Sequence, residues 1–447
     1  MDHVVIIGNG VSGVTAARHI RKLSNKKITI ISSETDFFFS RTALMYVYMG
    51  HMRFKDTQPY EPNFWKKNNI LLKKAYVKTI DFARKTLALD TEESIAYDHL
   101  ILAVGSVPNK FGWKGQDLAG VQGLYHYQDL ERLNHATQRG IKRGVIVGGG
   151  LIGVELAEML HSKGIDVSFL VREPSFWGKV LPTQESEMIN REILKNGIDL
   201  RLGTELKEIV ADYEGWVSKV ITTTGEEIAC EFVGLTVGVS PNIHFLKNTS
   251  LATARGILVN HFLECNQEDV YAIGDCAEFE DAIEGRRKIE QVWYTGRMMG
   301  EVVAKTICGN RTAYTPGHWF NSAKFFDIEY QTYGQVLANC REGEMDFYWE
   351  HKDGNKCVHI VFEKESKKFV GINTFGIRMR HHCFDQWLNE GRSVLHVLAH
   401  LKDANFDPEF YKKYESEIID KFNRENGTDI KVKKKSWRRI IHSRLSN

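Results

Sequence analysis

The stretches "VVIIGNGVSGVTAARHI" at residues 4–20 and "GVIVGGGLIGVELAEML" at 144–160 are near copies, and together they decide the fold. Each sets a short β-branched apolar run before a Gly-x-Gly-x-x-Gly turn and continues with apolar residues at helical spacing. In the first copy, residues 4–7 read as a strand, 8–13 as the turn, the residues through 21 as a helix and 27–31 as the next strand. In the second, the same roles fall to 145–147, 148–153, a helix through 162 and 167–171. Strand, glycine turn, helix, strand is a βαβ unit, and two of them predict an α/β chain with two Rossmann-like dinucleotide-binding domains.

The glycines have separate tasks. Gly8 and Gly148 make the tight turn, Gly10 and Gly150 let backbone approach a pyrophosphate, and Gly13 and Gly153 pack helix on strand. The phosphates then meet a helix N-terminus, whose free N–H groups and dipole favour negative charge. Glu34 follows the second strand of the first unit, where a carboxylate accepts from ribose hydroxyls. The aligned position of the second unit is Val171, followed by Arg172. An arginine there suits a 2′-phosphate, so the second site leans toward NADPH, with Glu173 as the residue that could turn to a free ribose instead.

Working outward, 447 residues exceed one ordinary core and suit two or three domains. The expected organisation is a discontinuous first nucleotide domain (1–115 with 246–314), a second nucleotide domain (116–245) and an α+β domain (315–428), the last marked by alternating strands such as "IEYQTYG" and "CVHIVFE" and a helical stretch near 382–401. The end, 429–447, is a tail with seven basic residues against one acidic. If 436–445 were helical, its apolar residues would share a face flanked by cations, suited to an anionic membrane surface or an acidic partner; a solvated end is the plainer reading. With 59 basic against 57 acidic side chains overall, nothing points to nucleic acid. No apolar run is long enough to span a bilayer and no signal-like segment opens the chain, so a cytoplasmic protein is expected, with any membrane contact peripheral and through the tail. The seven cysteines are scattered beyond residue 229 without CxxC spacing, which suits a reducing compartment; no metal site is expected.

Four segments resemble the flavoprotein pyridine nucleotide reductases, which hold FAD in the first nucleotide domain and NAD(P) in the second. They are the first glycine turn with Glu34, "LILAVGSVP" at 100–108 with Val104 at the usual threonine, "GGGLIGVELA" at 148–157, and "DVYAIGDCAEF" at 269–279. The resemblance implies that Gly274 brings backbone close to the FAD diphosphate and that Asp275 bonds the ribityl chain. Ala103 and Gly105, within "LILAVGSVP", and Gly238, within "EFVGLTVGVSPN" at 231–242, join the cofactor-binding set. Glu155 matches the glutamate that meets the nicotinamide amide, although Tyr46 stands where its lysine partner would be. Trp293, opening "WYTGRMMG", lies where relatives place a flavin-covering helix and could shield the ring, or simply pack.

The segment "FFFSRTALMYVYMG" at 37–50 holds no cysteine where disulfide reductases of this fold carry theirs, so a thiol relay is not expected. It resembles instead the "PYxRxxL" segment of the rubredoxin reductases, the ferredoxin reductases and the flavoprotein part of nitrite reductase, with Arg41 placed by the flavin. The chain has no cysteine set for an iron–sulfur cluster. The expectation is an FAD-dependent NAD(P)H reductase serving a separate ferredoxin, rubredoxin or other iron–sulfur protein, with a homodimer through the third domain open by analogy. Two alternatives stand beside it. One is an NAD(P)H:quinone reductase, and the other a redox-gated binding protein resembling apoptosis-inducing factor.

Overall fold

A computed structural model describes residues 2–406 and 412–432. It divides into two compact units: the chain up to Pro174 with Gly197–Pro316, and Ser175–Asn196 with the chain from Gly317 on.

The first unit contains two five-stranded parallel sheets that share four strand roles and differ in the origin of one edge strand, which comes last in sequence in the first sheet and first in the second. One runs in the order Val270–Ala272, His99–Leu102, His3–Ile7, Lys27–Ser32, Ile70–Lys74, all parallel. The other runs Val121–Gln122, Phe232–Leu235, Arg143–Val147, Asp166–Val171, Asp199–Leu202, again parallel. In both, the strand that feeds the glycine turn is central and pairs with the strand that follows its helix, as a duplicated βαβ unit requires. The central strands are apolar in their interiors because parallel sheets are covered on both faces, and Val4, Val5, Ile6, Val145 and Ile146 are wholly buried; the edge strands Ile70–Lys74 and Asp199–Leu202 mix in charged residues. The helix after the first glycine turn, Val11–Leu23, buries Val14, Ala16, Ala17 and Ile20 and carries Arg21 and Lys22 in its last turn, where cations suit the helix dipole. It lies against the helix Trp293–Ile307 at backbone distance, for a Cβ at Gly300 would come 2.6 Å from the Ser12 carbonyl oxygen.

The second unit is built on an antiparallel sheet in the order Phe320–Phe325, Ile328–Gly334, Phe369–Phe375, Cys357–Glu363, Glu344–Glu350. Helices His381–Asn389, Val394–Ala399 and Glu415–Asn426 close an apolar core with it that includes Trp349, Ile360, Phe384 and Phe422. Residues 175–196, which fall inside the span expected for the second nucleotide domain, belong to this unit instead. The reason is local. Phe176 packs edge-to-face on Phe325, and the helix Thr183–Lys195 turns Glu185 into the sheet, where Asn373 Nδ2 donates to both its oxygens at 3.1 and 2.9 Å. His359 lies beside that carboxylate, with Nδ1 3.2 Å from Glu185 Oε1 but off the line of a hydrogen bond, and Nε2 2.9 Å from Asp346. The basic tail lies outside the described residues beyond 432, so the helix expected at 436–445 falls there too.

Candidate functional site

At the first glycine turn the three tasks are visible as space. Gly8 has φ 113°, and a Cβ there would come 2.1 Å from the Ala103 carbonyl oxygen, so only glycine fits. A Cβ at Gly13 would come 2.2 Å from the Gly8 oxygen, whereas one at Gly10 would meet nothing within 4 Å. The helix Val11–Leu23 starts at Gly10 without a side-chain cap. Its first N–H groups therefore border an open cradle that fits a diphosphate.

Beside the cradle, residues expected separately come together. Arg41 donates from Nη1 and Nη2 to the two oxygens of Glu34 at 2.8 and 2.7 Å, and the Tyr127 N–H donates to Oε1 at 2.8 Å. Burial alone would raise the Glu34 carboxyl, but these donors hold it far below the usual carboxylate range. Glu34 is thus not a free acceptor; Oε2 retains a lone pair for one ribose hydroxyl. Arg41 also donates to the Tyr125 carbonyl, and its guanidinium lies 4.5 Å from the centre of the Tyr125 ring. The Tyr125 hydroxyl reaches Asp275 Oδ2 at 3.1 Å, and Ser106 Oγ reaches the same oxygen at 3.2 Å. Burial raises the Asp275 carboxyl, opposed by those two donors and by Arg41. Gln291 Nε2 completes the cluster by donating to Ser106 Oγ at 2.8 Å. Gly105 borders it, since a Cβ there would come 3.0 Å from the Tyr125 hydroxyl; Gly274 instead faces the start of the helix Val11–Leu23, where a Cβ would come 2.3 Å from Ser12 Oγ.

The second turn repeats the first. Gly148 has φ 115° and a Cβ there would come 2.6 Å from the Thr236 carbonyl oxygen; at Gly153 the neighbour is the Gly148 oxygen at 2.5 Å; at Gly150 nothing lies within 4 Å. Gly150 starts the helix Leu151–His161, again without a side-chain cap. Glu155 is half-buried on this helix, and no cation pairs with it among the described residues. Burial, then the neighbouring Glu158 carboxylate, push its carboxyl up to about 7. The helix Leu44–Met49, which carries Tyr46, packs against Leu151–His161. Arg172 is exposed and already engaged, with Nη2 3.2 Å from Glu173 and Nε 3.8 Å from Glu205. A 2′-phosphate would compete with those carboxylates for it. Gly238 lies at the domain crossing, its carbonyl accepting the Asn109 N–H at 3.0 Å.

Trp293 opens its helix 37% exposed, and its ring contacts are with Tyr294 and Arg297 of the same helix rather than with the Asp275 cluster. Cys276 is wholly buried, its thiol directed at the Leu102 and Ile273 carbonyls and pushed up to about 12 by burial, the opposite of a reactive thiolate. Among the described residues no three His, Cys, Asp or Glu side chains gather as a metal site, and no helix is long and apolar enough to cross a membrane. Sequence reasoning missed Tyr125, Tyr127, Ser106 and Gln291. Ser106 sits inside "LILAVGSVP" and Gln291 two residues before "WYTGRMMG", whereas Tyr125 carries no signal beyond preceding "HYQD", which starts the helix Tyr127–Gln138 through the Asp129 carboxylate.

A family model described as pyridine nucleotide-disulphide oxidoreductase matches residues 2–300. The chain is 30% identical over 312 residues to an NAD(P)H nitrite reductase of Bacillus subtilis, covering 69% of this chain and 38% of that protein's length. It is 31% identical over 290 residues to a rubredoxin-NAD(+) reductase of Acinetobacter baylyi, covering 62% of this chain and 72% of that one. The crystal structure of a ferredoxin reductase from Rhodopseudomonas palustris matches with a TM-score of 0.77 at 23% identity, over 94% of this chain and all of that one, a likeness of fold.

Proposed function

Because this chain belongs to the pyridine nucleotide-disulphide oxidoreductase family, we propose that it is an FAD-dependent NAD(P)H reductase that delivers electrons to a separate small iron–sulfur carrier. The observation that carries this reading is the pair of open glycine cradles in one unit, one of them backed by Glu34, Arg41 and Asp275. FAD fits the first: the N–H groups after Gly10 would take its diphosphate, Glu34 Oε2 a ribose hydroxyl and Asp275 a hydroxyl of the ribityl chain. NAD(P)H fits the second, with its diphosphate on the turn from Gly148 to Gly153, the amide end of the nicotinamide toward Glu155 and a 2′-phosphate at Arg172.

When bound, FAD supplies the step from two-electron to one-electron chemistry. The chain's own contribution is orientation, which supplies much of the acceleration when two reactants must meet at bonding distance. Arg41 keeps the Glu34 side ionised, and Glu155 offers an acid that is neutral below neutrality and charged above it. No thiol takes part in this reading: residues 37–50 hold no cysteine, and Cys276 is protonated at working pH. The rubredoxin-NAD(+) reductase among the similar proteins supports a small iron–sulfur protein as acceptor, and Arg172 supports NADPH as donor. The test is anaerobic reduction of a rubredoxin and of a plant-type ferredoxin by NADPH with catalytic amounts of the protein. Carrier reduction that depends on protein and FAD supports the reading; reduction of quinones but of neither carrier sinks it.

A further inference from the structure

Residues 124–129 carry no recognisable motif, yet they touch every charged group of the first cradle. The Tyr127 N–H holds Glu34, the Tyr125 carbonyl and ring hold Arg41, and the Tyr125 hydroxyl holds Asp275. The segment is itself fixed, because Asp129 Oδ2 accepts the N–H groups of Tyr125 and His126, both at 2.8 Å. At Tyr125 the direction of each hydrogen is forced. Its oxygen accepts the Ser106 N–H at 3.0 Å, so its single proton goes to Asp275 Oδ2. Ser106 Oγ accepts from Gln291, so its proton goes to the same oxygen. Two neutral donors thus converge on Oδ2 and leave Oδ1 to a ligand.

The geometry points to Tyr125 as a positioning residue of the flavin site, which by holding Asp275 Oδ2 turns Oδ1 toward a hydroxyl of bound FAD. This rests on the FAD reading above. The groups facing Asp275 are the Tyr125 hydroxyl, Ser106, the neutral Cys276 thiol and the Arg41 guanidinium, and only the last is charged. Burial disfavours the carboxylate, so each donor matters to its ionisation. An acceptor that must be ionised makes FAD binding fall tenfold per pH unit on the acid side of its titration.

The experiment follows flavin fluorescence as FAD leaves the diluted full-length protein between about pH 4.5 and 8. Tyr125→Phe keeps the ring beneath Arg41 and removes one donor to a charged acceptor, so the acid limb should move up by about one pH unit, with FAD roughly tenfold weaker at a fixed pH on that limb. Ser106→Ala, on the separate strand Ser106–Pro108, should move it the same way. A merely structural role would weaken FAD equally at every pH and leave the limb in place. A limb unmoved in both variants overturns the inference while the FAD reading stands; a wild-type protein that binds no FAD at any pH overturns that reading and the inference with it.

Discussion

Replacing Glu155 with Gln should remove a pH dependence of NADPH binding that is centred near neutrality. The Glu155 carboxyl titrates at about 7 in place of 4.5, because burial and the Glu158 carboxylate both disfavour its charge. A raised acid is neutral below its folded value, so about nine-tenths is protonated at pH 6 and about nine-tenths ionised at pH 8. A nicotinamide docking over the ionised form strips its remaining water and returns a neutral amide N–H but no cation, which covers the charge less well than it covers a neutral acid. If the complex raises the carboxyl by one further unit, the NADPH dissociation constant grows about tenfold, roughly 1.4 kcal/mol, as pH rises from 6 to 9. Gln copies the neutral acid and should bind NADPH as the wild type does at pH 6, over the whole range. It should also raise the melting temperature at pH 8, since the ionised glutamate opposes folding above pH 4.5 and in full above 7. Protein fluorescence quenched by NADPH, titrated at half-unit steps, reads the binding arm. No inflection between pH 6 and 9 in the wild type, or the same inflection in the Gln variant, would refute the reasoning.

In the C-terminal unit, burial alone would lower His359, but Asp346 and Glu185 raise it to about 9. Its charge therefore stabilises the fold fully below about pH 6.5, and that contribution is lost as pH rises through about 9. Thermal unfolding at pH 6.5, 8 and 9.5 should show the loss in the wild type and a flatter profile for His359→Gln; parallel profiles would contradict it. Arg172→Ala should raise the Michaelis constant for NADPH by about tenfold and leave that for NADH nearly unchanged, because only a 2′-phosphate needs the guanidinium. Equal effects on both donors would mean that Arg172 serves Glu173 and Glu205 alone. Cys276→Ala should keep flavin reduction within a few-fold of wild type, and a loss of orders of magnitude with FAD retained would give the thiol a chemical role.

The two nucleotide units were legible because their signal is local. A glycine whose Cβ would strike the Ala103 or Thr236 carbonyl is demanded by the turn itself, and the strands before it are apolar and buried over their last residues, Val4–Ile7 and Val145–Val147. The strands Ile328–Gly334 and Cys357–Glu363 were also legible locally, the first through alternation at its start and both through β-branched and aromatic residues. The allegiance of residues 175–196 was not. It depends on Glu185 meeting Asn373 across 188 positions, a pairing to which spacing is blind. Within the site, Glu34, Arg41 and Asp275 were legible as separate residues, each in its own motif. That Glu34 and Arg41 pair with one another, and that Tyr125 ties both to Asp275, follows from tertiary approach; neither a tyrosine hydroxyl nor a backbone N–H announces such a bond in sequence.

The central claim is tested most directly by an anaerobic titration of the purified full-length protein with NADPH while its visible spectrum is recorded. The protein should be yellow, release free FAD on heating, lose its flavin absorbance in proportion to NADPH up to about one donor per FAD, and recover it when an oxidised iron–sulfur carrier is added. A folded protein that cannot be loaded with FAD, or whose bound FAD keeps its absorbance with NADPH and NADH alike, would contradict it.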